Sequence, residues 1–230
     1  PIHHNAALLR QMKPHLPTKK KVFIGSICAY GGFDWVANRE LDHCVDYSLF
    51  GTQLIPWCCG TLEYGKTGLI IGTKRMLRIA TESGSDPDGV KDLLAPILKQ
   101  HLVDTDFLAS TLWPNNPSLH PPILYGLLKD WDGIKPFDPA TMPIHIYAEM
   151  NDTSAEAAVQ MDKELVAITE GLKAKGWSNK DDFSFRTCVL ENYLDQISDN
   201  TDMVTCIRTN AAFAKHKIPT SRSREASSRW

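Results

Sequence analysis

No stretch of this sequence stays apolar for the roughly 20 residues that a membrane-spanning helix needs, which excludes such a helix. Neither sign of charge dominates: 25 Lys and Arg stand against 27 Asp and Glu, for a formal net charge of −2. That balance leaves no basic footprint and argues against nucleic acid as a partner. The opening residues show no signal-peptide pattern, and the six cysteines (Cys28, Cys44, Cys58, Cys59, Cys188 and Cys206) include no C-x-x-C pair. Vicinal Cys58 and Cys59 suit a structural disulfide poorly. Free thiols in a reducing, cytoplasmic compartment are the reading these absences support. His3, His4 and His15 have no cysteine or carboxylate at ligand spacing, so solvated side chains are expected there, with no metal.

G-x-G-x-x-G is missing too. If the first part is a dinucleotide fold, its phosphate-binding turn is expected before Pro1. The chain opens on Pro1 and closes on Ser221–Trp230, a Ser/Arg-rich run without apolar period. A piece of a longer or processed protein is the expectation.

What is present is ordinary globular material, 43% hydrophobic and 23% charged over 230 residues, enough for a real core. Residues 5–16 predict a helix with Ala6, Leu9 and Met12 on one face, ended by Pro14 and Pro17. Val22–Ile27 reads as a buried parallel strand, followed by the Gly-rich turn Ala29–Gly32 and a short helix over Phe33–Leu41. Cys44–Phe50 and Thr67–Gly72 are further strands, and Lys74–Thr81 reads as helix. The alternation argues for α/β with a parallel sheet. Asp88–Leu102 is a firmer helix, with Val90, Leu93, Leu94, Ile97 and Leu98 at helical spacing. After about residue 110 strand signals fade. Thr153-Ser154-Ala155-Glu156 reads as a capping box opening a helix that Gly176 closes, and Phe183–Ile197 and Met203–Lys215 also read as helix. The chain divides into residues 1–105, α/β, and 106–230, all helical.

Gly60-Thr61-Leu62-Glu63-Tyr64-Gly65-Lys66-Thr67 matches the P-loop pattern G-x-x-x-x-G-K-[ST]. A phosphate cradle must open a helix, whereas Gly68–Gly72 is strand-like, and Pro56 spoils the strand that should precede it. A hairpin turn is the prediction. His120 lies just after the α/β part, before two prolines, at the start of an apparent helix. A lone histidine is more often structural, and Trp131-Asp132-Gly133 suits an ordinary turn as well. Cys58 and Cys59 suit a pocket lining or a small core residue equally.

The segment from Asn116 to Gly133, with His120-Pro121-Pro122-Ile123-Leu124-Tyr125-Gly126 and Trp131-Asp132-Gly133, resembles the His-Pro signature opening the helical domain of octopine/nopaline-type opine dehydrogenases, the animal enzymes in particular. Pro56-Trp57-Cys58-Cys59, Tyr64-Gly65-Lys66 and Gly72-Thr73-Lys74 fall in that family's order and approximate spacing. His3-His4, Gly25 and Gly32-Phe33 fit its cofactor domain; Glu191-Asn192-Tyr193 and Thr209-Asn210 fit its later helices. The resemblance implies the second part of a Rossmann-type nucleotide-binding domain, a remnant, followed by an all-helical substrate domain, with the active site in the cleft. It implies a reaction as well: a 2-oxo acid, usually pyruvate, condenses with the amino group of an amino acid, and NADH or NADPH, NADH favoured, reduces the imine.

His120 is then carried over as the catalytic acid/base, since imidazole donates or accepts near neutral pH. Asn116, Tyr30 and Cys59 are implied substrate contacts, and Asn115 a cofactor contact. Tyr30, in a loop expected near the amino-acid site, leaves room for an amine other than arginine. The family's first strands and Gly-rich loop would precede Pro1. Its carboxylate-binding arginine and acidic partner of the histidine have no match here, because the resemblance ends after Ile218; Arg229 is a conceivable stand-in for that arginine. Rival readings are another two-domain reductase of 2-oxo or 3-oxo acids, a P-loop nucleotide-binding protein, and a non-catalytic truncated isoform.

Overall fold

The computed structural model describes residues 2–82, 85–114, 116–136 and 144–217. Its contacts separate two compact units interleaved in sequence: Pro1–Pro56, Arg75–Trp113 and Leu172–Asp181 form one, and Trp57–Lys74, Pro114–Gly171 and Asp182–Trp230 the other. A single cut at residue 105 falls where the last strand of the sheet ends, but it does not separate these units.

In the first unit, strands β1 (Val22–Ile27), β2 (Tyr47–Thr52), β5 (Met76–Thr81) and β6 (His101–Thr105) form one sheet in the order β1-β2-β5-β6. β1 and β2 are parallel and joined through helix α2 (Phe33–Leu41); β5 and β6 are parallel and joined through α3 (Pro87–Leu94). β2 and β5 run antiparallel, so the sheet is mixed, with the expected parallel pairing at β1-β2 and β5-β6. No crossover helix lies between them. The chain leaves as a hairpin, β3 (Trp57–Glu63) and β4 (Thr67–Thr73), and comes back in the opposite direction. Leu9 of α1 (Asn5–Met12) packs with Ile24, Phe33, Ala37, Leu41, Leu49 and Phe107 in this unit's core.

Three readings of the sequence need correction. Lys74–Thr81 is not helix: Met76–Thr81 is β5, with Leu77, Arg78, Ile79 and Ala80 all buried. Burial on both faces of a central strand erases the period-2 alternation. The helix read over Asp88–Leu102 ends at Leu94, because Pro96 brings no N–H to extend it, and His101–Thr105 is strand. Met203–Lys215 holds only α8 (Met203–Arg208), after which Asn210 bridges to Ile197 and the Ala211 N–H donates to the Gln196 carbonyl.

The second unit takes the β3–β4 hairpin together with α5 (Asn116–Leu128), most of α6 (Asp152–Ala174), α7 (Phe185–Tyr193) and α8. The hairpin turn falls where the P-loop pattern lies, and exposed Lys66 pairs with Glu63 at 2.6 Å. α6 is capped by Asn151, not by Thr153: its Oδ1 accepts from the Ser154 N–H at 2.8 Å, and its Nδ2 donates to the Gly126 carbonyl at 3.0 Å. The Ser154 hydroxyl donates to the Ile123 carbonyl at 2.7 Å, so the start of α6 is stapled to the side of α5. A Cβ on Gly126 would lie 2.3 Å from the Ser154 nitrogen and 2.6 Å from its Cα, both backbone atoms. Gly126→Ala is therefore expected to destabilise by about 1–3 kcal/mol, the usual cost of overpacking. Urea unfolding checks this, and a midpoint unchanged from wild type would mean the two helices can separate freely.

Candidate active site

α5 carries its chemistry in an apolar setting. Leu119, Ile123 and the ring of Pro122 are buried, and they place His120, half-buried, beside the second unit's core. The prolines at 121 and 122 lack the N–H groups that would reach back to the carbonyls of Pro117 and Ser118, so this turn is held by packing more than by its own hydrogen bonds.

The His120 Nε2 lies 2.6 Å from the hydroxyl of Tyr147. Tyr147 is buried at 7% exposure in the turn between α5 and α6. Its ring packs on Phe213, centroids 4.9 Å apart, and meets the edge of His216 at 5.6 Å. The 145–147 segment is fastened to the same stretch as those two rings: His145 bridges to Lys217, and the Ile146 N–H donates to the His216 carbonyl. The aromatic contacts continue outward. Phe213 meets Tyr193 at 5.1 Å, the Tyr193 hydroxyl lies 3.0 Å from the Cys58 Sγ, and the Lys74 ammonium stands 5.5 Å from the Tyr193 ring centroid. Gly72 makes this possible, since a Cβ there would meet that of Ala212 at 2.5 Å.

The electrostatics follow from the burial. Desolvation, and after it the nearby His216, hold His120 below its ordinary pKa of 6.5, so its imidazole is mainly neutral at neutral pH. Desolvation, with Cys58 adding to it, pushes both Tyr147 and Tyr193 well above the usual phenol value, so both hydroxyls keep their protons. A neutral imidazole against a protonated phenol, in partly buried surroundings, can take up or release one proton.

Of the residues expected from sequence, Asn116 is exposed at the start of the same helix as His120. Asn115 lies outside the described residues, as does Arg229. On β3 the structure puts Cys58 against Tyr193 and leaves Cys59 exposed. Tyr30 belongs to the other unit, where it lines a cavity of about 580 Å³ with His4, Asn5, Gln11, Ser26 and Cys28. Cys28 there adopts φ 77, its amide donating to the Thr52 hydroxyl at 3.1 Å. Sequence reasoning missed Tyr147, Phe213 and His216 entirely; nothing local marks them.

For cofactors, the first unit offers a strand–turn–helix at β1 and α2, where Gly32 caps the helix with φ 74. The first turn of α2 carries Asp34, with Glu82 close enough to raise its pKa further beyond the effect of burial. An acidic first turn without the G-x-G-x-x-G turn does not fit a dinucleotide's diphosphate. Among the described residues no three His, Cys, Asp or Glu side chains converge as a metal site, and no helix is long and apolar enough to cross a membrane.

Comparison with known proteins adds a family. Residues 103–229 match the model for the NAD/NADP octopine/nopaline dehydrogenase alpha-helical domain, more than half of the 230-residue chain. An uncharacterized protein, y4xO, of Sinorhizobium fredii is 30% identical over 229 residues, covering 95% of this chain and 59% of its own. Tauropine dehydrogenase of Arabella iricolor is 26% identical over 222 residues, covering 93% and 54%. Among solved structures, octopine dehydrogenase with NADH and L-arginine superposes with a TM-score of 0.74 at 21% identity, covering 94% of this chain and 54% of that one. The same enzyme with NADH and agmatine gives 0.74 at 23%, covering 95% and 54%. Those two likenesses show the fold: a Rossmann-type portion and a helical region. The chain spans a little over half the length of the curated relatives it matches.

Proposed function

Because the chain belongs to the octopine/nopaline dehydrogenase family, we propose that it is the portion of an opine dehydrogenase that supplies the proton-transfer site, with His120 as general acid/base. The observation carrying this reading is His120 itself, on the family's His-Pro segment, half-buried, kept neutral, and fixed at 2.6 Å from a protonated phenol.

Condensing a 2-oxo acid such as pyruvate with an amino acid poses two proton problems. The amine arrives as an ammonium and must lose a proton before its nitrogen attacks the oxo carbon. The carbinolamine oxygen must then gain a proton to leave as water. A neutral imidazole accepts the first proton, and the resulting imidazolium returns one to the departing oxygen, so the residue ends as it began. NADH, favoured over NADPH because relatives of known structure hold it, supplies hydride to the imine when bound. The described residues do not fit its diphosphate, so only the proton chemistry is assigned to them. In the proposed division, residues 1–105 belong to the nucleotide-binding domain and 106–230 to the substrate domain. Asn116, Tyr30 and Cys59 are proposed substrate contacts, Asn115 a cofactor contact, and the setting is cytoplasmic.

The test is a two-substrate requirement. The 230 residues alone are expected to show no NADH oxidation, since they carry no phosphate-binding fingerprint. Fused behind the unmatched portion of the tauropine dehydrogenase relative, they should oxidise NADH only when an oxo acid and an amino acid are both present. NADH oxidation with the oxo acid alone would favour a simple 2-oxo or 3-oxo acid reductase instead.

A further inference from the structure

The imidazole of His120 has two nitrogens, and the structure treats them differently. Nε2 faces the Tyr147 hydroxyl at 2.6 Å, and no described residue engages Nδ1. We propose that Tyr147 is the positioning residue of His120: its hydroxyl oxygen holds Nε2–H and leaves Nδ1 as the nitrogen that exchanges protons with substrate. This rests on the acid/base role given to His120 above. A base needs a lone pair on the nitrogen that substrate can reach. With Nε2 occupied, that nitrogen is Nδ1, so the ring proton of neutral His120 sits on Nε2 and Tyr147 accepts it. When Nδ1 takes up a proton, the Nε2–H bond to the phenol oxygen is unchanged. The same hydrogen bond serves both protonation states without moving either ring.

The phenol is suited to this by its own fixings. Its ring lies against Phe213 and His216, and the Ile146 N–H ties its segment to the His216 carbonyl, so its oxygen is set in place before substrate arrives. Because burial keeps it protonated, Tyr147 brings no charge that would hold the imidazolium too firmly to release a proton. Among the described residues the titratable groups acting on the pair are His216, Cys58 and Tyr193, and none of their side chains is hydrogen-bonded to His120 or to the Tyr147 hydroxyl.

Tyr147→Phe keeps the ring and removes the oxygen. The test is an NMR titration of the ¹⁵N-labelled 230-residue chain, with the His120 resonances assigned through His120→Gln. The charged form loses more than the neutral form when Nε2–H has no acceptor, because hydrogen bonds from ionised groups are the stronger ones. His120 in the variant should therefore bind its proton roughly tenfold more weakly than in wild type, with the unfolding midpoint nearly unchanged. In wild type the neutral ring should carry its proton on Nε2. In the active fusion the same variant should lower kcat by about 10-fold or more and leave KM for the oxo acid nearly alone. A titration that stays put or moves upward, or a wild-type ring protonated on Nδ1, would overturn the assignment. These outcomes are read without turnover. If His120→Ala kept full activity while the titration shifted as expected, the catalytic reading would fall and the hydrogen-bond assignment would stand.

Discussion

His120→Ala is expected to lower kcat of the active fusion by about 10²- to 10⁴-fold, the usual cost of losing a general acid/base. Cofactor affinity should change little, because the role assigned to His120 is proton transfer and its hydrogen-bond partner, Tyr147, lies in the same unit. The substitution leaves the Tyr147 hydroxyl without its partner, and an orphaned buried hydroxyl costs about 1–3 kcal/mol of stability. His120→Gln is the useful companion, since an amide can still hydrogen-bond the phenol but cannot shuttle a proton. It should be as inactive as the alanine variant and more stable. Wild-type turnover in either would return His120 to a structural role.

The pH profile gives the same mechanism a second check. His120 must be neutral to accept a proton, and burial holds its pKa below 6.5. kcat/KM should then hold as pH falls through 6.5 and decline only at lower pH. Stability moves the other way in that window. The unfolded chain protonates this histidine near its ordinary value and the folded chain does not until lower pH, so the folded state loses stability as pH falls between the two. Loss of rate on the acid side should be reversible on returning to pH 7; irreversible loss would mean that unfolding sets the limb.

The parts of this fold that show in the sequence are those decided locally. β1 is a short apolar run between turn signals, and the β3–β4 turn follows from a strand-like Gly68–Gly72 where a phosphate loop would need a helix. The His-Pro segment, a pattern confined to a few consecutive residues, singles out His120 as a candidate. β5 was misread because Arg78 is buried inside an apolar run, so neither period 2 nor period 3.6 holds there. The partners of His120 were not legible for a related reason. Tyr147, Phe213 and His216 sit in short turns without periodicity, and pairing between segments far apart in sequence, His145 with Lys217 and Ile146 with His216, brings them together. Cys58, in β3, and Lys74, which follows β4, reach the same cluster at the two ends of the hairpin. Contacts between segments far apart in sequence carry no local signature.

The buried Arg78 that confused the reading of β5 sets up a test of how the first unit holds its last segment. Arg78 is buried at 5% exposure in the middle of the sheet, its guanidinium 4.0 Å from the Trp113 ring, its Nε 3.2 Å from the Asp181 carboxylate. Asp181 also accepts from the Thr105 hydroxyl at 3.3 Å, and its amide is held by the Asn179 side chain at 2.8 Å. Beside it Asp106 accepts from Trp177 Nε1 at 3.2 Å and from Asn179 Nδ2 at 2.9 Å. Residues 172–181 thus reach Arg78 through Asp181 and Asp106 through Trp177 and Asn179. Asp181→Ala leaves that cation without its carboxylate, and breaking a buried pair typically costs about 3–5 kcal/mol. Asp181 keeps roughly a quarter of its side-chain exposure, so solvent screening reduces the expected loss to about 2–4 kcal/mol. Against a total stability of about 5–15 kcal/mol this is a large share. Arg78→Met combined with Asp181→Leu should lose less than Asp181→Ala, because it removes the charge along with its partner. Urea unfolding of the three proteins decides it, with amide exchange at β5 showing whether the opening is local. An Asp181→Ala protein within about 0.5 kcal/mol of wild type, the range of ordinary surface substitutions, would mean that the guanidinium is satisfied without the Asp181 carboxylate and that the 172–181 segment is anchored elsewhere.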